Sequence, residues 1–309
     1  VTRHESTALG EIRTVGVLGG GIMARAIVPH LRSAGYRLRL YNRTSRQLQG
    51  LLTEDTVLCS TPMQAASGAD VVISLVSDDA AGSAVWFGDD GALTALRAGA
   101  LAVECSTLSA AHTRRWIAKC QEREIRPVDM PVTGSLPRAE LGTLIGFAGG
   151  AVEDLHRLGP VFSTFTETVI PFGPVGAGMR YKLVHNLAAA ATLVGLAEAL
   201  SLAEAGELDM QQVAETLAAY GWAAPVAQSK AQAMIAGSHD EVMCSLANLE
   251  KDVRYALRAA GSSIDLPLAR VMSTQFKIAA ARGAAQLDMA AVKFAYGTAQ
   301  DEELLTGGV

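Results

Sequence analysis

Cysteine is scarce in this chain: Cys59, Cys105, Cys120 and Cys244 stand apart among 309 residues, with no CxxC pair and no Cys/His spacing. That excludes a disulfide framework and a zinc site built on such spacing, and it fits a reducing compartment, with the cytoplasm as the expected location. Lysine and arginine form no consecutive block and the net charge is -5, so nucleic acid is not expected as a partner. Charged residues make up only 18% against 50% hydrophobic, a balance that fills a large interior and argues against long disordered regions. Residues 1–9 lack a basic segment followed by an apolar stretch, so no signal peptide is expected and residues 1–12 read as a loose tail. One apolar stretch, Leu183 to Ala203, has the length of a membrane span, but His185, Asn186, Glu198 and Ser201 interrupt it. It predicts a buried helix, with no membrane as partner.

A chain of this length passes the size at which one hydrophobic core stops growing, so two domains are expected. Thr14 to Leu18 is β-prone and closes on Gly19, Gly20 and Gly21; Met23 to Ala34 then reads as a helix, and Arg37 to Tyr41 as the next strand. This is a βαβ unit with parallel strands. Val71 to Val76 and Leu101 to Glu104 are unbroken apolar runs, the pattern of strands covered on both faces. With further strands near Arg126 to Met130, Leu144 to Ala148 and Thr168 to Phe172, the fold class is α/β, a doubly wound parallel sheet over residues 1–172. Residues 173–309 lose strand-like alternation and are rich in Ala, Leu, Met, Glu and Gln, which predicts an all-helical domain. Its helices are expected at about Gly176 to Ala205, Met210 to Tyr220, Ala223 to Ala236, Leu246 to Ala260, Pro267 to Arg282 and Met289 to Tyr296. The first would be ~45 Å long at 1.5 Å per residue, enough to form the seam of a homodimer or homotetramer.

Gly19, Gly21 and Ala24 occupy the small positions of a GxGxxG/A fingerprint, after a strand and opening a helix. The first glycine permits the turn, the second admits a pyrophosphate, and the helix start offers free N–H groups; Gly20, Ile22 and Met23 complete the loop. An acidic residue at the end of the second strand would hold a ribose 2′-OH, but here stand Asn42, Arg43 and Thr44. A guanidinium pairs with phosphate oxygens, so NADP(H) is the expected cofactor, the alternative being that Arg43 is a solvated surface charge. Val76 and Ser77, closing the third strand, join the cofactor set.

Only six lysines occur beside twenty arginines, and one of them, Lys182, lies among apolar residues four positions before Asn186, on one face of the long helix near its start. Burial there would lower its pKa into a range useful for acid and base work, unless the side chain snorkels to water.

Five ordered motifs now stand out: the loop at Gly19 to Ala24, Ser106-Thr107 after a strand, Asp129-Met-Pro-Val-Thr-Gly-Ser135, the Gly173 to Asn186 segment, and Lys251-Asp252. From about residue 13 to 300 the chain resembles the β-hydroxyacid dehydrogenase family. The resemblance implies a Rossmann-type domain followed by the all-α domain, with a long interdomain helix. It implies Lys182 as catalytic acid and base with Asn186 beside it, and a substrate loop at Thr133, Gly134 and Ser135. It implies Thr107 near both nicotinamide and substrate, and Lys251 near the nicotinamide ribose. The substrate is then a small anion, a carboxylate-bearing aldehyde or semialdehyde reduced to the hydroxy acid, or the reverse.

The chain also departs from the family. Its loop reads Thr-Gly-Ser where relatives usually have Ser-Gly-Gly, and the run Thr-Gly-Ser-Leu-Pro-Arg-Ala-Glu is closer to the glyoxylate/succinic semialdehyde reductase branch. Cys244 stands where relatives often carry phenylalanine, which leaves more room for substrate or for another side chain. Arg138 reads as a solvated loop residue or as a partner for a second substrate carboxylate. Two other functions share this plan: an imine reductase, which generally has another residue in place of Lys182, and an inactive NADP-binding scaffold, which lacks that lysine.

Overall fold

The computed structural model describes residues 11–296, so the expected tail lies, up to residue 10, outside the described residues. The strands are β1 (Thr14–Leu18), β2 (Arg37–Tyr41), β3 (Thr56–Leu58), β4 (Val71–Ser74), β5 (Leu101–Glu104), β6 (Arg126–Asp129), β7 (Val132–Thr133), β8 (Leu144–Gly149) and β9 (Thr166–Gly173). Helices α1 (Ile22–Ser33), α2 (Pro62–Ala66), α3 (Asp79–Trp86), α4 (Ala110–Gln121), α5 (Ser135–Glu140) and α6 (Val152–Phe162) are interleaved with them. Five helices follow: α7 (Ala177–Ala205), α8 (Met210–Tyr220), α9 (Ala224–Ala236), α10 (Leu246–Ala260) and α11 (Pro267–Ala281). Met289–Tyr296, expected as a helix, is helical but of the 3-10 type.

Two compact units result. Of the described residues, the first takes in those up to Ser106, Ala111–Gly134 and Arg138–Gly178; the second comprises Thr107–Ala110, Ser135–Pro137 and those from Met179 to Tyr296. Thr107–Ala110 joins the second unit partly through Met179, whose sulfur accepts a hydrogen bond from the Leu108 N–H at 3.3 Å.

In the first unit the sheet order is β3-β2-β1-β4-β5-β6-β8, with β7 and β9 also pairing with β8. Strands β1 to β6 are parallel, and the order reverses between β1 and β4, the switch point at which ligands bind in doubly wound sheets. The expected strands are there, as a Rossmann-type sheet with helices on both faces. Alternation explains the two layers: Val71, Ile73, Leu101 and Val103 pack with α1 and α6 residues on one face, while Val72 and Ala102 pack with Trp86 of α3 and Trp116 of α4 on the other. The sheet is not wholly parallel, for β8 runs antiparallel to β6 and β7. The link from β7 to β8 holds only the short α5, too little for a parallel crossover, which needs about a dozen residues or more.

The second unit is helical and has its own core, with Leu193, Ala197 and Leu200 of α7 against Leu249 and Val253 of α10 and Phe276 of α11. Helix α7 differs from its expectation as a buried helix. It is long and apolar enough to cross a membrane, yet only 39% of its most apolar window is buried, and Val184 and Leu202 are exposed at 63% and 76%. A 29-residue helix presents more faces than this unit covers, because one face alone meets the core.

Candidate active site

Two sets of groups carry chemistry, one in each unit. In the first, the carboxyl ends of five parallel strands form a row in register, Tyr41, Leu18, Ser74, Glu104 and Asp129. Gly19 leaves this row at φ +122°, and a Cβ there would lie 2.1 Å from the Leu75 carbonyl oxygen, so the fold itself requires glycine. Gly21 is different: nothing lies within 4 Å of a Cβ built on it, although it starts α1. No side chain caps α1, so its start, at the positive end of the helix dipole, offers N–H groups that no capping side chain takes. An uncapped helix start with vacant space over a glycine fits a pyrophosphate. Gly21→Ala is therefore expected to keep the wild-type melting temperature while raising the dinucleotide Kd tenfold or more, measured by cofactor fluorescence. An unchanged Kd would show that the open space is not where the phosphates bind.

Beside this loop the Asn42 amide donates to the Thr44 carbonyl (3.0 Å) and to Gln47 Oε1 (2.8 Å), shaping the turn after β2. Arg43 and Thr44 are exposed on it, as is Arg46, a second guanidinium that sequence reasoning passed over because it falls beyond the strand end. Ile22 is exposed and Met23 half-buried at the start of α1. Val76 is half-buried, with its N–H donated to Ser106 Oγ at 2.8 Å, and the exposed Ser77 hydroxyl donates to Asp78 at 3.0 Å.

In the second unit, helices α7 and α10 bring four polar side chains into an apolar setting. Lys182 is buried, and loss of hydration pulls its pKa down to about 8, against the opposing pull of Asp252. Asn186 donates from Nδ2 to Asp252 Oδ2 at 2.6 Å. Lys251 is buried; it pairs with Asp252 at 3.2 Å and donates to the Thr107 carbonyl at 3.1 Å. Burial pushes the Asp252 carboxyl up despite Lys251 and Lys182. Cys244 is also there, and burial pushes its thiol up to about 11, which keeps it protonated and unsuited to nucleophilic work. Burial followed by the Lys182 charge lowers His185.

The substrate-loop positions lie at the junction of β7 and α5. Thr133 ends β7, Gly134 holds φ +127° and Ser135 holds φ +57°. The Gly134 requirement comes from the fold as well, since a Cβ would meet Arg138 side-chain atoms at 2.9 Å. Ser135 explains the family's glycine at this place, for a side chain in the left-handed region carries strain. Arg138 is partly solvated, as one of its two readings expected, and is not free: it donates to the Thr143 carbonyl at 2.7 Å and pairs with Glu167. Asp252 was missed as a partner of Asn186 because the two are 66 residues apart; only the packing of α10 on α7 joins them.

A glycine turn at the switch point of a doubly wound sheet, followed by a helical unit with a buried lysine and amide, defines a dinucleotide-binding oxidoreductase. Residues 14–173 match the model described as the NAD binding domain of 6-phosphogluconate dehydrogenase, and residues 176–295 the one described as NAD-binding of NADP-dependent 3-hydroxyisobutyrate dehydrogenase. The chain belongs to the β-hydroxyacid dehydrogenase family. It is 31% identical over 206 residues to the NAD-dependent L-serine dehydrogenase of Pseudomonas aeruginosa, covering 67% of this chain and 69% of that one. To glyoxylate/succinic semialdehyde reductase 1 of Arabidopsis thaliana it is 27% identical, over 90% of this chain and 96% of the relative. The structure of Mycobacterium tuberculosis 3-hydroxyisobutyrate dehydrogenase with L-serine superposes with a TM-score of 0.79 at 25% identity, covering 93% of this chain and all of that one.

Proposed function

We propose that the chain is an NADP(H)-dependent reductase of a small aldehyde or semialdehyde bearing one carboxylate, running to the hydroxy acid or in reverse. The observation that carries this reading is Lys182, buried and drawn to a pKa of about 8, so that both its forms are populated near neutral pH. The nicotinamide, when bound, supplies or accepts the hydride at the carbonyl carbon. As the carbonyl π electrons move onto oxygen, the Lys182 ammonium stabilises the developing alkoxide and donates the proton that completes the hydroxyl. The neutral amine is then reprotonated from solvent, and in oxidation the same amine removes the hydroxyl proton. Asn186 has its Nδ2 committed to an acceptor, so its Oδ1 remains to accept from the ammonium or the substrate hydroxyl.

Gly19, Gly20, Gly21, Ile22 and Met23 would hold the pyrophosphate, Asn42, Arg43 and Thr44 the 2′-phosphate, and Val76, Ser77, Thr107 and Lys251 the nicotinamide half. Thr107, Thr133, Gly134 and Ser135 would hold the substrate, with hydroxyls and N–H groups for its carboxylate. Arg138 is committed within the chain, which favours one carboxylate over two. The relative from Pseudomonas is named NAD-dependent, so the choice of NADP(H) rests on Arg43 of this chain and not on kinship. Four free thiols suit a reducing cytoplasm.

A panel of glyoxylate, succinic semialdehyde, tartronate semialdehyde, methylmalonate semialdehyde and a cyclic imine, each with NADPH, tests the reading. Turnover of a semialdehyde at least tenfold above the imine is expected; the reverse order would favour imine reduction, and no turnover with any would favour a binding scaffold. Ser135→Gly should relieve the left-handed strain and raise stability by about 0.5–1 kcal/mol by denaturant midpoint, while raising KM for the best substrate severalfold. If KM does not move, the Ser135 hydroxyl does not touch substrate.

We also infer a homodimer or homotetramer formed through the helical unit. Leu202, Tyr220 and Trp222 are all strongly exposed there, more apolar surface than a monomer usually leaves wet. Light scattering should give a multiple of the chain mass, and Leu202→Glu should reduce it; a wild-type monomer would refute the assembly.

A further inference from the structure

Glu104 ends β5 and is buried, yet the chemistry above gives it no part. Its two oxygens are both occupied. Oε2 accepts from the Trp86 indole N–H at 2.7 Å, and Oε1 accepts from the Ser106 backbone N–H at 2.8 Å. The Ser106 hydroxyl oxygen in turn accepts from the Val76 N–H at 2.8 Å and lies 3.5 Å from Ser74 Oγ. One carboxylate therefore joins α3, the segment leaving β5 and, through a single hydroxyl, the segment leaving β4. Those are the segments that carry Val76, Ser77 and Thr107.

We propose that Glu104 is a positioning residue for the nicotinamide cofactor, its carboxylate clamping Ser106 so that the segments leaving β4 and β5 hold one spacing. This rests on the reading that those segments receive NADP(H). A buried carboxylate is costly to keep and an apolar side chain would fill the same space, so packing alone does not account for it. Only an acceptor at both oxygens satisfies two N–H donors arriving from different elements.

The groups facing Glu104 are Ser74 on β4, Trp86 on α3, Asp129 in register on β6 and the Cys120 thiol on α4, with the Cys105 thiol just after β5 also within its electrostatic reach, none of them a cation. Burial pushes its pKa up to about 7 against the hydrogen bonds that oppose the shift. The ionised form accepts both bonds. Protonation turns one oxygen into a donor facing a donor, so the clamp loosens as pH falls through about 7.

The test uses the full chain with NADPH, measuring Kd by fluorescence and the split between KM and kcat, for Glu104→Gln, Ser106→Ala and the double variant. An amide at 104 always turns its NH2 towards one N–H donor. Each single variant is expected to raise the NADPH Kd about tenfold, with KM for NADPH rising far more than kcat falls. The double variant should be no worse than the weaker-binding single, because both cut one chain of bonds. From pH 8 to pH 6 the wild-type Kd should rise more steeply than that of Glu104→Gln; the 2′-phosphate titrates in both and cancels in the comparison. Losses that multiply in the double variant overturn the clamp, as does a Glu104→Gln protein that melts earlier but binds NADPH within twofold of wild type. If Glu104→Gln does not fold, Ser106→Ala decides by the same twofold limit. A wild-type chain that binds neither NADPH nor NADH defeats the cofactor reading and the clamp with it, whereas unchanged variants of a binding protein defeat the clamp alone.

Discussion

Lys182→Met should lower turnover by three orders of magnitude or more, leave NADPH binding within threefold, and make the protein more stable. The loss would follow from removing the group we propose as acid and base; general acid and base groups contribute about 10²–10⁴-fold, and in that role the ammonium would also stabilise the alkoxide electrostatically. The gain follows from the same burial. A shift from 10.5 to about 8 means that the folded state disfavours the ammonium by about 3 kcal/mol at pH 7, below both values. Methionine has similar length and no charge, and Asp252 keeps Lys251 and Asn186 as partners. About 1–3 kcal/mol of added stability is therefore expected at pH 7. The sign of the pH dependence is fixed as well. Between about 8 and 10.5 the unfolded chain holds the proton that the folded chain has lost, so wild-type stability climbs across this window and the advantage of the variant disappears. In wild-type kinetics, reduction should slow above about pH 8, where the ammonium is lost, and oxidation should quicken through the same value. Turnover by Lys182→Met within tenfold of wild type would show that another group moves the proton.

Arg43→Ala should raise the NADPH Kd by roughly 10- to 100-fold and change the NADH Kd less than threefold. Hydrogen bonds to a charged group are worth about 1.5–3 kcal/mol, which converts to that range, and only NADPH has the 2′-phosphate that receives them. The turn that carries Arg43 is held by Asn42 through Thr44 and Gln47, so the substitution leaves its backbone supported. Arg46 is exposed nearby and sets the lower end of the range, since a second guanidinium in reach would retain part of the affinity. Titration of both cofactors into both proteins decides it. Equal losses for NADPH and NADH would mean that Arg43 supports the loop rather than reading the phosphate.

Much of the first unit's fold was legible because its signals are local. Strand, glycine turn and helix follow one another within Thr14–Ser33, and the bounds of β1 and β2 coincide with the expected ones. Lys182 and Asn186 share a face by helical spacing alone. Other features depend on partners far away in sequence. The left-handed φ of Ser135 looks like an ordinary loop serine until the backbone is seen. Arg138 looked available because Glu167 pairs with it from β9. Helix α7 was expected to be buried because hydropathy reports composition, not how much core a unit has to offer.

By itself the sequence determined seven of the nine described strands, the helices of the second unit, where the glycine turn falls, and which lysine shares a helix face with an amide; each depends on residues within a few turns of one another. The tertiary structure alone decided that Asp252 and Cys244 would stand beside Lys182, and that Glu104 would take two donors from different elements. The physical reason is that hydration and charge act through space: a lysine at about 8 and a glutamate at about 7 are properties of what surrounds them, and α10 and α3 supply those surroundings from far along the chain.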